Sequence, residues 1–344
     1  MLVAALSAGL VVAGSRLGAS AGETPDPVVV AQYDLGDRAY TDPQSGTVSE
    51  LRAVVHYPRN PIGKLSVIVQ AHGSWWACDK EDADQWPCEP GARPFPSYRG
   101  YDYLGDELAR HNFVVVSISA DGINQTSFDY GDRARLVNRH LTLLRDLAAG
   151  RGPLAGRLGA LTGHLDLTSV GTMGHSRGGK GVMWQASDKH RTEVPSGVRV
   201  GAVLALAPVK FDDPEGDNSD TLVTRIPVGV VTATCDGAVG ERGQEYLDDV
   251  EGKTHQPAWW VSLSNGNHNY FNTWWTPPSL LGEDDSTCPK QELTPPTQQS
   301  ALTAYAVAFY ERYLHGTQSY EKVLNGKQAL PGVSSTTRMV RPVR

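Results

Sequence analysis

Val170-Gly171-Thr172-Met173-Gly174-His175-Ser176-Arg177-Gly178-Gly179-Lys180-Gly181-Val182 is the stretch on which the reading of this chain turns. Val170 to Met173 is a short apolar run, and Lys180 to Ala186 carries apolar residues at helical spacing. The pattern predicts a strand, a sharp turn and a helix, with G-x-S-x-G at Gly174, Ser176 and Gly178. A serine at the tip of so tight a turn sits in a strained backbone. Side chains two residues to either side would collide with it, so both places need glycine. The turn lifts the hydroxyl clear of the sheet, and the helix aims its first N–H groups and its positive dipole end at the same point. Chance alone would give on the order of 0.1–0.3 such matches in a chain this long. The flanking strand and helix therefore carry the argument that Ser176 is a nucleophile.

Upstream, Leu65 to Ala71 (L-S-V-I-V-Q-A) reads as a strand buried on both faces. It runs into His72-Gly73-Ser74-Trp75-Trp76. A histidine-glycine pair leaving a central strand is the common form of the oxyanion-hole loop in serine hydrolases. Gly73 would let the backbone turn so that the Ser74 N–H faces a substrate oxygen; the plainer reading is an ordinary strand-to-loop glycine. A serine hydroxyl cannot attack a carbonyl unaided. It needs a base, and the base needs an orienting acid. Around a G-x-S-x-G turn the chain order is Ser, then Asp or Glu, then His. The strand Ile226 to Ala233 ends in Thr234-Cys235-Asp236-Gly237, which makes Asp236 the expected acid. The strand Trp259 to Leu263 is followed by Ser264-Asn265-Gly266-Asn267-His268-Asn269, which makes His268 the expected base. Asp212 and Asp213 read as solvated loop residues, His255 lies at the wrong end of its strand, His175 points away from the hydroxyl, and His190 reads as surface. The N–H groups of Ser74 and Arg177 are the expected oxyanion donors.

Around these sites the chain reads as alternating strands and helices. An antiparallel pair, Val28 to Tyr33 and Leu51 to Tyr57, opens the sheet around the turn-rich Thr41 to Gly46. Tyr101 to His111 and Asp132 to Ala149 read as helices, Phe113 to Ser119 and Val198 to Ala207 as buried strands. Trp259 to Leu263 reads as the last strand, and Ala301 to Leu314 as the closing helix. This predicts an α/β fold: a mostly parallel central sheet with helices on both faces and an antiparallel N-terminal strand pair. With no repeat or low-complexity linker, residues 22–344 are read as one domain.

Lysine and arginine number 31 against 38 acidic residues, a net charge of −7. Without basic clusters this argues against nucleic acid or an anionic membrane as partner. Leu2 to Gly14 is apolar and small, and Ala19-Ser20-Ala21 offers a cleavage site, so residues 1–21 read as an export signal. That run is too short to span a bilayer, and no stable membrane anchor is expected. The four cysteines lack C-x-x-C spacing, which argues against a zinc cage. In an exported protein they read as two disulfides, Cys78 with Cys88 and Cys235 with Cys288.

Gly174 to Lys180, G-H-S-R-G-G-K, resembles the nucleophile segment of chlorophyllases. The mature chain is similar to the wider group of secreted α/β-hydrolases that includes dienelactone-hydrolase-like, platelet-activating-factor-acetylhydrolase-like and cutinase or polyester-hydrolase enzymes. The resemblance implies an α/β-hydrolase fold and a secreted, monomeric serine esterase without metal or cofactor, acting on a small-molecule or polymeric ester. Trp75 and Trp76 follow the oxyanion loop, and Trp274 and Trp275 lie just past His268. Both pairs are expected to rim the cleft and favour bulky or aromatic esters. The short interval between Ala207 and Ile226 leaves little room for a lid, while Trp259 and Trp260, on a strand, read as core. Rival readings are a peptidase or acyltransferase on the same triad, and a binding protein on a dead hydrolase fold.

Overall fold

The computed structural model describes residues 27–80, 85–124, 130–210 and 217–343. The expected export signal, Asp212, Asp213 and part of the interval discussed for a lid lie outside the described residues. In chain order the strands are β1 (Val28–Asp34), β2 (Tyr40–Thr41), β3 (Val48–Ser49), β4 (Arg52–Pro58), β5 (Leu65–Ala71), β6 (Val114–Ile118), β7 (Leu165–His175), β8 (Val200–Leu206), β9 (Val228–Ala233), β10 (Ala258–Leu263) and β11 (Ser335–Val340). The α-helices are α1 (Asp102–Arg110), α2 (Asp121–Asn124), α3 (Tyr130–Ala148), α4 (Arg177–Ala186), α5 (Glu245–Val250), α6 (Pro295–Tyr313) and α7 (Glu321–Leu324).

Nine strands form one sheet in the order β1-β4-β6-β5-β7-β8-β9-β10-β11, and β2 and β3 pair separately. From β6 to β10 every neighbouring pair is parallel. β1 and β4 are the expected antiparallel pair at one edge, and β4 is also antiparallel to β6. At the other edge, β11 runs antiparallel to β10.

The central strands are apolar on both faces because both faces are covered. Alternate residues divide between two cores, as a period of two requires. Val67, Val69, Val114, Val116, Val203 and Ala205 join the leucines of α3 (Leu136, Leu141, Leu144, Leu147) and Val182 and Met183 of α4. Ile68, Val115, Met173, Leu204 and Val231 join Leu104 and Leu108 of α1 and the apolar side of α6. Trp259 and Trp260 are core, as read.

Two expectations about the C-terminal region are corrected. β10 is not the last strand, since β11 follows α7. The closing helix begins at Pro295 rather than Ala301, because Thr294 caps it: its side chain accepts from the Thr297 N–H, with prolines in the first turn. The parallel strands β5, β7, β9 and β10 all end at one edge of the sheet, and the residues that follow them meet there.

Candidate active site

Ser176 joins β7 to α4 with φ 58° and ψ −121°, a conformation that non-glycine residues rarely adopt. Such strain costs on the order of 1–3 kcal/mol and persists only where the surroundings impose it. Here the Ser176 N–H donates to the Leu206 carbonyl at 2.9 Å, and its own carbonyl accepts from Lys180 and Val209, both at 3.2 Å. The flanking glycines are required by close approach. A Cβ on Gly174 would lie 2.1 Å from the Gly178 carbonyl oxygen, and one on Gly178 would lie 2.5 Å from the carbonyls of Ala71 and His72.

The acid and the base come together. His268 Nδ1 and Asp236 Oδ2 are 2.8 Å apart, and both residues are 4% exposed. The other Asp236 oxygen accepts the N–H groups of Ala238, Val239 and Gly240 at 2.9, 2.7 and 3.2 Å, which fixes the carboxylate to the turn after β9. Burial disfavours a charged His268, but the charge of Asp236, its hydrogen bond and the charge of Asp285 outweigh it and raise the imidazole above its ordinary 6.5. No hydrogen bond joins Ser176 Oγ to His268 among the described residues. Such bonds often tighten only once substrate is bound.

The loop after β5 lies directly on Ser176. A Cβ on Gly73 would be 2.6 Å from Ser176 Cβ. His72 Nε2 accepts the Ala120 N–H at 2.8 Å, so the ring proton is on Nδ1, which donates to the Gly73 carbonyl at 2.7 Å. Because a trans peptide holds its N–H opposite its C=O, pinning the Gly73 carbonyl toward His72 turns the Ser74 N–H the other way. Arg177 is the first residue of α4, so its N–H belongs to the helix end that carries the positive dipole.

The four rim tryptophans do not behave alike. Trp75 and Trp76 are partly exposed beside Ser74. Trp274 is 36% exposed and meets Phe95 edge-on. Trp275 is 1% exposed, donates its ring N–H to Ser97 Oγ and stacks on Trp75 at 5.0 Å. It also lies edge-on to His72 at 6.5 Å and 5.0 Å from His175, whose ring is 4.7 Å from that of His268. Trp275 is therefore packed beneath the site and forms no rim; dense aromatic packing under the histidine loop claimed it. His175 bonds the Tyr101 hydroxyl at 2.9 Å. His190 is not a free surface residue either: it stacks on Trp184 and bonds Glu193 and Asp220, each at 2.8 Å. His255 is exposed at the start of β10, away from this edge.

Both expected disulfides are present. Cys78–Cys88 spans 10 positions near the oxyanion loop, and Cys235–Cys288 spans 53. The second fastens the residue before Asp236 to the segment beyond His268. Two residues beside the site escaped the sequence reading. Gln298 of α6 takes the Asn267 N–H at 2.8 Å and donates to the Asn267 carbonyl at 2.7 Å, clamping the residue before His268. Its only sequence signal was the T-P-P start of α6. The other is Asp285.

Asp236, His268 and Asp285 offer donor atoms within 4.8 Å of one another. Asp236 and His268 already hold each other, so this is a hydrogen-bonded pair with a third group beside it rather than an open ligand set. A cavity of about 630 Å³ lies elsewhere, lined by Tyr103, Glu107, His111, Thr303 and Tyr320 among others. It contains none of the motif residues, and size alone does not make it the reaction centre. No helix of the described residues is long and apolar enough to cross a membrane. No protein-family model matches the chain, and no curated protein matches it. The functional reading therefore rests on the geometry of the site.

Proposed function

We propose that this chain is a secreted serine hydrolase of the α/β-hydrolase type that cleaves carboxylic esters through an acyl-enzyme. The observation that carries the reading is the strained Ser176 between β7 and α4, at the same sheet edge as the His268–Asp236 pair. The order Ser, Asp, His along the chain and the position of G-x-S-x-G on a strand-to-helix turn both fit the fold assignment. The two disulfides fit an oxidising compartment.

In this mechanism His268 takes the proton of Ser176 as the Oγ attacks the ester carbonyl. Asp236 holds the imidazole with Nδ1 protonated and stabilises the imidazolium that forms. The negative oxygen of the tetrahedral intermediate is met by the N–H groups of Ser74 and Arg177. His268 then returns its proton to the leaving alcohol, and water, activated the same way, releases the acid. Trp75 and Trp76 supply the apolar surface that a bulky or aromatic acyl or alcohol group would meet.

The test is a panel of short aryl esters, an aromatic polyester fragment, long-chain triglyceride emulsions and peptide amides, compared by kcat/KM. The expected outcome is turnover of the aryl esters above the emulsions and amides, lost by several orders of magnitude in Ser176→Ala. Preference for amides moves the reading to a peptidase, and full activity in Ser176→Ala removes the triad.

A further inference from the structure

Asp285 has no place in the triad, yet it sits against it. Its segment is strapped to the acid turn by the Cys235–Cys288 bond and by the Thr287 N–H, which donates to the Cys235 carbonyl at 3.0 Å. The approach is so close that a Cβ on Gly237 would lie 1.9 Å from the Asp285 carbonyl oxygen. Both carboxyl oxygens of Asp285 are buried without a well-formed hydrogen bond among the described residues, although the backbone N–H groups of Asn269 and of Asp285 itself lie close enough to favour its charge. A buried carboxyl without partners is costly unless a nearby charge answers it. The groups within reach are His268 and Asp236.

We propose that Asp285 is a second, positioning carboxylate for His268, held there by the Cys235–Cys288 strap to stabilise the imidazolium. The proposal rests on His268 being the catalytic base. Asp236 supplies the hydrogen bond that sets the tautomer; Asp285 adds charge without a bond. Burial, against the pull of His268 and the Asn269 and Asp285 N–H groups and with repulsion from Asp236, pushes Asp285 up to about 6. Groups that interact this strongly take up protons in steps that belong to the pair rather than to either residue, which is what the experiment reads. The other titratable neighbours are His175, whose ring lies tilted against that of His268, Tyr270 on the turn after it, and Asp284 and Glu292, which hold the Asn267 amide at 2.6 and 3.5 Å. Burial and the adjacent histidines hold His175 well below its ordinary value, so it stays neutral throughout.

The experiment follows the His268 imidazole by NMR across pH in the full chain, for wild type, Asp285→Asn and Asp285→Glu. A carboxylate beside an imidazolium raises its midpoint, so Asp285→Asn should move the midpoint to lower pH and Asp285→Glu should leave it near wild type. The acid limb of esterase kcat/KM should move the same way, with an alkaline plateau about fivefold lower in Asp285→Asn. An unmoved midpoint in Asp285→Asn, or equal shifts in both variants, overturns the proposal. If Asp285→Asn does not fold, the carboxyl 13C titration of wild-type Asp285 decides. A two-step curve shared with His268 supports the coupling; a single step independent of His268 overturns it. A shifted midpoint with no esterase activity in any variant would count against the hydrolase reading and leave the charge coupling standing.

Discussion

His268 with Asp236, and His72 with Asp121, are both buried histidine–aspartate pairs just beyond the C-terminal ends of parallel strands, yet their protons are arranged oppositely. In the first, the aspartate accepts three backbone N–H groups on one oxygen and the imidazole on the other. It holds a negative charge beside His268, whose affinity for a proton rises. In the second, Asp121 Oδ1 stands 3.5 Å from His72 Nε2, which already accepts the Ala120 N–H. The backbone N–H groups of Asp121 and Gly122 go to Glu50, at 2.7 and 3.1 Å. Burial and the charge of Glu50 then push Asp121 well above the usual carboxylate range, against the Ser119 hydroxyl, which donates to its Oδ2 at 2.9 Å. Burial and the charge of Arg133, against the hydrogen bond to the Gly73 carbonyl, bring His72 down to about 3. Nearness of the two residue types does not make a relay. The single hydroxyl that donates to Asp121 does not offset burial and the charge of Glu50, whereas three backbone N–H groups serve Asp236.

The largest expected effect tests that contrast directly. Asp236→Asn should lower kcat/KM about 10³–10⁴-fold, since the amide supports the wrong tautomer and no charge. Asp121→Asn replaces a neutral acid by a neutral amide of the same shape and should stay within about threefold of wild type. Similar losses in the two variants would break the comparison.

A smaller effect separates the pairs by stability. His72 and His140 are held neutral in the fold, down to about 3, chiefly by burial. Unfolded, they take up protons below the ordinary 6.5. The unfolded state then binds more protons, so their contribution is present above 6.5 and lost as pH falls toward 3. Asp121, raised in the fold, has the opposite sign and is stabilising at low pH. Between pH 7 and pH 4 the His140→Gln variant should therefore lose less stability to urea on acidification than wild type does, whatever the sum of the other groups. Equal slopes would mean that His140 does not stay neutral in the fold.

Much of this was legible in the sequence where local pattern and physical constraint agree. The G-x-S-x-G turn, the strands ending at Ala71, Ala233 and Leu263, and the Cys78–Cys88 bond followed from short-range signals, and Cys235–Cys288 followed as the pair that remained. What escaped depends on long-range packing. β11 is polar and half-buried at an edge, so no apolar run announced it. Trp275 and Trp274 are adjacent in sequence and differ only in which way the loop folds over Trp75. Asp285 lies in a stretch of acids, Glu283-Asp284-Asp285, that reads as solvated, and only the strap from Cys235 carries it to His268. Gln298 lay in a first helical turn that the apolar pattern did not reach.

The most direct test of the central claim is covalent. A fluorophosphonate probe phosphonylates only a serine that a base has activated and an oxyanion site has received. The account predicts a single adduct, mapped by peptide mass spectrometry to Ser176, absent in Ser176→Ala and strongly slowed in His268→Ala. No adduct on folded wild-type protein, or the same adduct in Ser176→Ala, would contradict it.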